Sequence, residues 1–316
     1  DGLSFDYITD YSYGISETMT FLIPNFMGGE MRAGNIDHSS EFYKSTPNQD
    51  KKIVDTKISS YWGDKGAAAP TYVGAIIMFL FVLGIFYVKS PYKYWILLST
   101  ILSLMLGWGK NMSFVSEFFI NYFPYYNKFR AVTMAMIIAE FGIALLAILS
   151  LNKFLNKDDN KEKEKKLKLA FYITGGITLL LAIIPSLFLN FQGSIDNVLS
   201  EDGWNNVSLL QDYRADILSA DSWRSFIFIF LSAGVLWMFI KGNIKKQYVV
   251  IIFGILILFD MWSVDKRYLN ETHFVEEKES SFIPTKADKK ILKNNKNQSR
   301  VFNYNNPFNE SRTSYF

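Results

Sequence analysis

Three basic residues stand close together in an otherwise aromatic part of the chain: Lys110, Lys128 and Arg130. An arginine side chain offers a planar fork that matches phosphate oxygens, and a lysine side chain offers a point charge. The three residues are therefore candidates for binding a lipid phosphate or diphosphate. Ordinary lipid headgroups would satisfy the same cations equally well, so the pattern leaves both interpretations open.

Acidic residues alternate with tyrosines near the amino end of the chain. Asp6, Asp10 and Glu17 are the acids, and tyrosines occupy positions 7, 11 and 13 between them. Surfaces that bind sugars combine aromatic and acidic side chains in this way, although both types are also ordinary in an exposed loop. The three acids are thus weak candidates for contacting a sugar or its acceptor.

Glu140 is the single charged residue in the apolar run from Ala131 to Leu151. An ionised carboxylate at the centre of a bilayer costs at least ~2.5 kcal/mol, so this side chain is expected to face the interior of a helix bundle and find a partner there. A protonated Glu140 that joins two helices and a functional Glu140 fit the sequence equally well. Asp260, near the end of another apolar run, is expected to reach water.

The composition excludes several other kinds of chemistry. The chain contains no cysteine and only two histidines, which lie far apart at positions 38 and 273. Disulfides, thiolate metal sites and cysteine nucleophiles are therefore excluded, and no metal site is predicted. The net charge of +3 gives no argument for nucleic acid, and no phosphate-binding glycine loop or hydrolase motif is present.

Six apolar runs supply the elements that must position these residues. A bilayer core of roughly 30 Å needs about 20 helical residues, and six such runs in one soluble core would leave no polar face for water. The predicted fold class is an all-α, polytopic transmembrane helical bundle, with a short aromatic helix near 112–123 lying in the membrane interface. The predicted spans are about 67–88, 94–109, 131–151, 169–192, 224–240 and 247–262.

The loops between these runs alternate in lysine content, which predicts an orientation. Short loops rich in lysine and arginine stay cytoplasmic, so residues 1–66 and 263–316 are expected to be extracytoplasmic in a bacterial inner membrane. Residues 30–58 look polar and mobile, and residues 263–316 look like the start of an extracytoplasmic domain. The loop 110–130 carries its three cations on the outer side, against this rule, which makes it the first place to look for function.

Several strings resemble the YfhO family of bacterial integral membrane proteins, and more narrowly its Bacteroidetes-type members. The resemblance is most specific from Gly2 to Met134 and continues more weakly to the end of the chain. The strings are FDYITDYSYG, ETMTFLIPNFMGG, YWGD, PTYVGA, LGWGKN and FPYYNKFRAVTM. They include Lys110 with Asn111 and the run from Tyr126 to Arg130, so the resemblance adds Asn111 to the phosphate-binding candidates.

The family is similar to the GT-C glycosyltransferases, which move a sugar from a polyprenyl-phosphate carrier to an acceptor at the outer membrane face. The resemblance therefore implies a glycosyltransferase-like protein that uses a polyprenyl-phosphate-linked sugar for cell-envelope glycan modification. The chain resembles the middle of the family, so it is expected to be an internal fragment whose catalytic acid lies upstream. No cofactor is identified, and the metal dependence of the full-length protein is left open.

Two other classes of function fit the sequence. One is a transporter or flippase of a lipid-linked glycan, in which Glu140 and the cations would line a path. The other is a non-catalytic scaffold for envelope assembly. A transporter needs charges at several depths of its spans, and these spans hold almost none besides Glu140, which favours the transferase.

Overall fold

The computed structural model describes residues 2–63, 70–156, 159–193, 196–197, 200, 204, 206–271, 274 and 285–294. Within these residues every regular element is helical, which confirms the all-α fold class. The chain divides into two compact units, residues 1–265 and 266–316. The prediction had placed this boundary after residue 262.

The first unit contains an amino-terminal region of short helices followed by a bundle of long ones. The amino-terminal elements are α1 (Phe5–Ile8), a 3₁₀ turn (Ser16–Phe21), α2 (Glu41–Ser45) and α3 (Asn48–Lys57). The bundle elements are α4 (Ala75–Tyr87), α5 (Pro91–Gly107), α6 (Ser113–Tyr122), α7 (Met136–Asn156), α8 (Asn160–Ile183), α9 (Val207–Ile240) and α10 (Lys246–Tyr268). Helix α10 ends inside the second unit, where α11 (Lys286–Asn294) is the next described helix.

Four helical segments are long and apolar enough to cross a membrane, which fits a membrane protein. They are Val132–Asn156, Asn160–Ile183, Val207–Ile240 and Lys246–Tyr268. Helices α4 and α5 occupy the first two predicted spans but contain only 13 and 17 residues, fewer than the roughly 20 that a straight crossing needs. The predicted number of six spans is therefore not reached by length and hydropathy alone.

Two predicted spans differ from the helices that contain them. Helix α8 covers Asn160–Ile183 instead of 169–192, because the Asp159 carboxylate accepts a hydrogen bond from the Glu162 amide at 3.0 Å and starts the helix in the lysine-rich segment. The helix stops before Pro185, since a residue that precedes proline avoids the helical conformation. Helix α9 begins at Val207, not near 224, and its 34 residues extend about 51 Å.

The bundle is organised around α4, which packs against α7, α8 and α9. Its buried side chains include Phe79 and Leu83. Gly84 lets α4 approach α7 closely, because a Cβ atom at this position would lie only 3.1 Å from the Leu146 carbonyl oxygen. Helix α5 packs on the other side of α7.

The carboxyl-terminal ends of α4, α7 and α9 and the start of α8 lie at one end of the bundle, which we call the lysine-rich end. Lys89 forms an ion pair with Glu162 at 2.6 Å, and Lys241 forms one with Glu164 at 3.3 Å. Lys153 donates to the Lys89 carbonyl oxygen at 3.1 Å. We call the other end, where α4 begins and α5 ends, the loop-rich end; it carries the amino-terminal segment and the loop 108–130.

Residues 30–58 form helices that share a small core with the start of α9, instead of the mobile segment that their polarity suggested. Phe42 of α2 and Val54 of α3 are buried against Leu210, in the first turn of α9. The Ser40 hydroxyl caps α2 by accepting from the Tyr43 amide at 3.2 Å. The long extension of α9 therefore provides the surface on which this segment folds.

Candidate functional site

The amino-terminal segment is hydrogen-bonded along the loop that follows α5, and this arrangement brings most of the predicted site residues to the same end of the bundle. Leu3 donates its amide to the Asn127 carbonyl oxygen at 2.9 Å. The Ser12 hydroxyl accepts the Lys110 amide at 2.8 Å, and the Asn111 side chain donates to the Tyr13 carbonyl oxygen at 2.9 Å. Predicted acids and predicted cations thus share the loop-rich end.

Gly109 is required for this contact. Its φ of +49° lies in the left-handed region, and a Cβ atom there would overlap the Ser12 side chain and approach Val132 at 2.7 Å. Glycine adopts this conformation without the steric cost that other residues incur. The loop therefore turns at Gly109 so that Lys110 and Asn111 can bond to residues 12 and 13.

Arg130 contacts the side chains of Tyr7, Asp10 and Tyr11. We call these four residues the Arg130 cluster. The Arg130 Nη2 atom lies 3.4 Å from the Asp10 carboxylate. The guanidinium carbon lies 4.5 Å from the Tyr7 ring centroid and 4.9 Å from that of Tyr11. Both members of the ion pair remain accessible, with 40% and 38% of their side chains exposed. The cluster holds the arginine fork in place and leaves it open to a ligand.

The remaining predicted cations are exposed beside an aromatic helix. Lys110 and Lys128 are both exposed, before and after α6. Helix α6 covers most of the segment 112–123, and Phe114, Phe118 and Tyr122 on it are exposed. An aromatic helix of this kind suits the interface of a membrane, where lipid phosphates lie.

The predicted acids Asp6 and Glu17 differ in burial. Asp6 is exposed on α1. Glu17 is buried, where its carboxylate accepts from the Tyr61 hydroxyl at 2.6 Å and from the Gly14 amide at 2.9 Å. Glu17 therefore supports the fold, and among the described residues it is not placed to contact a sugar. Burial raises the pKa of the neighbouring Tyr13 to about 12, so its hydroxyl stays neutral.

Glu140 does not have the environment that the sequence suggested. Its side chain is half-buried on α7. Among the residues that the structure describes, its carboxylate has no hydrogen bond and no ion pair, so the expected partner inside the bundle is not seen there. The buried charges of the first unit are found at other positions.

The first of these positions is a buried ion pair that the sequence analysis missed. Arg214 and Asp196 have side chains that are 0% and 1% exposed, with Nη1 and Oδ2 2.6 Å apart. The same guanidinium donates to the carbonyl oxygens of Ser59, Ser60 and Phe191. Arg214 was the one cation among six acids between positions 196 and 221, and this imbalance was the available signal.

The second position joins α9 to α10. Asp260, which was expected to reach water, is 1% exposed and forms an ion pair with Arg224 at 2.8 Å. The Tyr72 hydroxyl donates to the same carboxylate at 2.6 Å, and the Ile76 amide does so at 3.4 Å. The carboxylate thus caps the amino end of α4, where the helix dipole favours a negative charge. Arg224 comes at the start of the fifth apolar run and Asp260 near the end of the sixth. Two consecutive spans run in opposite directions, so these positions lie on the same side of the membrane, and this could have indicated the pair.

The described residues contain no group of three or more histidine or acidic side chains that could hold a metal ion. No protein-family model matches the chain, and no curated protein and no solved structure matches it. The resemblance to the YfhO family therefore stays a prediction. The candidate site rests on the geometry of the Arg130 cluster and its exposed neighbours.

Proposed function

We propose that this protein is a glycosyltransferase-like membrane protein that binds a polyprenyl-phosphate-linked sugar at its loop-rich end. The observation that carries the proposal is the Arg130 cluster, whose accessible guanidinium lies at the same end of the bundle as α6 and the exposed Lys110 and Lys128. The three cations would bind the carrier phosphate, and the exposed aromatic side chains of α6 would rest among the lipids.

The Arg130 cluster supports a phosphate site because the arginine is oriented before any ligand arrives. Tyr7 and Tyr11 stack on the guanidinium, while Asp10 neutralises it through one nitrogen. A guanidinium carries five N–H donors, and Nη1 also donates to the Tyr7 hydroxyl at 3.4 Å, so a phosphate can bind through the remaining donors or displace the carboxylate. Asp10 and the phosphate would then compete for the same cation.

Binding of the carrier can be measured with the purified protein in nanodiscs, using a polyprenyl phosphate and the uncharged polyprenol as probes. We expect Lys110→Ala, Lys128→Ala and Arg130→Lys each to weaken phosphate binding about ten- to a hundredfold, because each loses a charge-assisted contact. Lys165→Ala removes an exposed lysine from the lysine-rich end and is the matched control. Equal affinity for the polyprenol and the phosphate would contradict the proposal.

Asp10→Asn supplies a sharper test, because it acts in the opposite direction. Removing the competing charge should tighten binding of the phosphate and leave binding of the polyprenol unchanged. If neither Asp10→Asn nor Arg130→Lys changes the affinity, the three cations are ordinary interfacial anchors. Transfer itself is tested by following the release of carrier phosphate from the sugar-linked donor, with and without divalent metal.

The proposal includes six spans with the loop-rich end outside. Its support is that the turn after α4 reaches the lysine-rich end, where Lys89 meets Glu162 of α8. The chain contains no cysteine, so single cysteines can be labelled cleanly in spheroplasts with a membrane-impermeant reagent. We expect Ser208→Cys to be labelled, and Ser90→Cys and Asn160→Cys to be labelled only after permeabilisation. Labelling of Ser90→Cys in intact spheroplasts would refute crossings by α4 and α5.

A flippase is the second candidate, and the paired charges of the spans favour the transferase over it. Arg224 and Asp260 neutralise each other, so they offer no series of charged positions through the bundle. Translocation of a fluorescent lipid-linked glycan in proteoliposomes distinguishes the two functions. Translocation without transfer would favour the flippase.

A further inference from the structure

An apolar groove opens between α8 and α9 in the half of the bundle nearest the lysine-rich end. Its volume is about 330 Å³. Four aromatic side chains, two from each helix, line the groove: Phe171, Tyr172, Phe230 and Trp237. The floor includes Gly234, where a Cβ atom would meet nothing within 4 Å. A larger side chain at this position would therefore extend into open space.

The position of the groove along the helices places it in one leaflet. Helix α9 ends at Ile240, so the residues from Phe230 to Trp237 lie within about 15 Å of its end at a rise of 1.5 Å per residue. Half of a hydrocarbon core of about 30 Å has the same depth. A chain in this groove would therefore belong to a lipid of the leaflet at the lysine-rich end.

Two lysines stand at the mouth of the groove and share one acid. Lys168 Nζ lies 2.8 Å from the Glu164 carboxylate, and Lys241 Nζ lies 3.3 Å from it. Both lysine side chains are largely exposed, at 56% and 44%, and Lys241 also lies 5.6 Å from the Trp237 ring centroid. One carboxylate cannot neutralise two ammonium groups, so the mouth carries an excess positive charge.

We propose that this groove binds one acyl chain of an anionic glycerophospholipid, with the lipid phosphate against Lys168 and Lys241. Moving an acyl chain from the bilayer into an apolar groove gives no hydrophobic free energy. A preference of the groove for one lipid over the bulk lipids must therefore come from close packing and from the charge of the headgroup. The aromatic walls supply the packing surface and the two lysines supply the charge. This site is independent of the proposed function at the opposite end.

The packing is tested by filling the groove in the full chain, reconstituted in nanodiscs that contain phosphatidylcholine and a minor fraction of phosphatidylglycerol. Native mass spectrometry should show one retained phosphatidylglycerol on the unaltered protein and none on Gly234→Leu. Gly254→Leu on α10 is the matched control, because a Cβ atom there also meets nothing within 4 Å. Circular dichroism verifies that both variants are folded. Equal retention by Gly234→Leu and Gly254→Leu would overturn the site.

The headgroup contacts are tested by neutralising the lysines. Each lysine near an anionic surface is worth about 1 kcal/mol, or about a fivefold change in binding. Lys168→Gln and Lys241→Gln should each lower the preference for phosphatidylglycerol over phosphatidylcholine by about fivefold, while Lys165→Gln leaves it unchanged. Retention of phosphatidylcholine as strongly as phosphatidylglycerol by the unaltered protein would reduce the groove to a contact with bulk lipid.

Discussion

Two of the arginine–aspartate pairs in the first unit differ in burial, because one is sealed inside the fold and the other lies at the surface. Arg214 and Asp196 are at most 1% exposed, and the arginine also binds three backbone carbonyl oxygens. Arg130 and Asp10 are more than a third exposed and are 3.4 Å apart. The same two side-chain types thus serve different purposes, because burial decides whether a charge is committed to its partner or is available to a ligand.

The buried pair should show the largest effect. Arg214→Met removes the partner of a fully buried carboxylate and leaves three carbonyl oxygens without their donor. We expect the free energy of unfolding to fall by about 3–5 kcal/mol, because an uncompensated buried charge is left behind. Thermal unfolding in detergent measures the loss. The double variant Arg214→Met with Asp196→Leu should recover part of it, and no recovery would mean that the carbonyl contacts matter more than the charge.

The Arg224–Asp260 pair should have the next largest effect. Asp260→Asn keeps the shape of the side chain but removes the charge that Arg224 and the amino end of α4 share. A hydrogen bond to a charged group contributes about 1.5–3 kcal/mol, and we expect a loss of stability in this range. Asp265→Asn, at an exposed position of the same helix, is the control. Equal stability of the two variants would show that α10 is not held by this pair.

The exposed pair should contribute little to stability, even though it orients the candidate site. Arg130→Ala is expected to lower the free energy of unfolding by about 1 kcal/mol or less, because solvent screens an exposed ion pair. The loss should shrink further at 1 M salt, where the Debye length is about 3 Å. A loss as large as that of Arg214→Met would make Arg130 a structural residue and would weaken the proposal that it binds phosphate.

The lysine-rich end should show the smallest effect on stability. Lys168→Gln removes one contact of Glu164, which keeps its contact with Lys241. Exposed pairs of this kind contribute little or nothing measurable, so the melting temperature should not change. The same variant should lower the preference for anionic lipid, and a change in stability without a change in lipid preference would contradict the role of this lysine.

The long apolar helices were predictable because about twenty consecutive apolar residues are stable only in a membrane or in a protein core. Their ends were less predictable, because they depend on local contacts such as the Asp159 cap that starts α8 within a charged segment. The extension of α9 beyond the apolar run could not be read from hydropathy. That part of the helix is polar. It is held by packing against α2 and α3 and by the hydrogen bonds that its own buried Arg214 makes to the rest of the chain.

The sequence selected the residues of the candidate site but did not indicate which partners they would meet. Lys110, Lys128 and Arg130 were selected because they lie in a loop predicted to be outside, whereas lysine-rich loops are expected to be cytoplasmic. Nothing in the spacing indicated that Arg130 would meet Asp10, which lies 120 positions earlier in the chain. Likewise, Glu17 resembled the other acids in sequence, and only its contacts with Tyr61 and Gly14 separate it from them.

Hydrophobicity is a property of a residue and its neighbours in the chain, so the printed sequence was enough to predict an all-α fold with helices long and apolar enough to span a membrane. The pairing of a charge is a property of groups that meet only after folding. The interior positions of Arg214, Asp196 and Asp260, and the exposed position of Arg130, therefore came from the tertiary structure. The difference in burial between those positions separates the charges that are enclosed by the fold from the one that stays accessible to solvent.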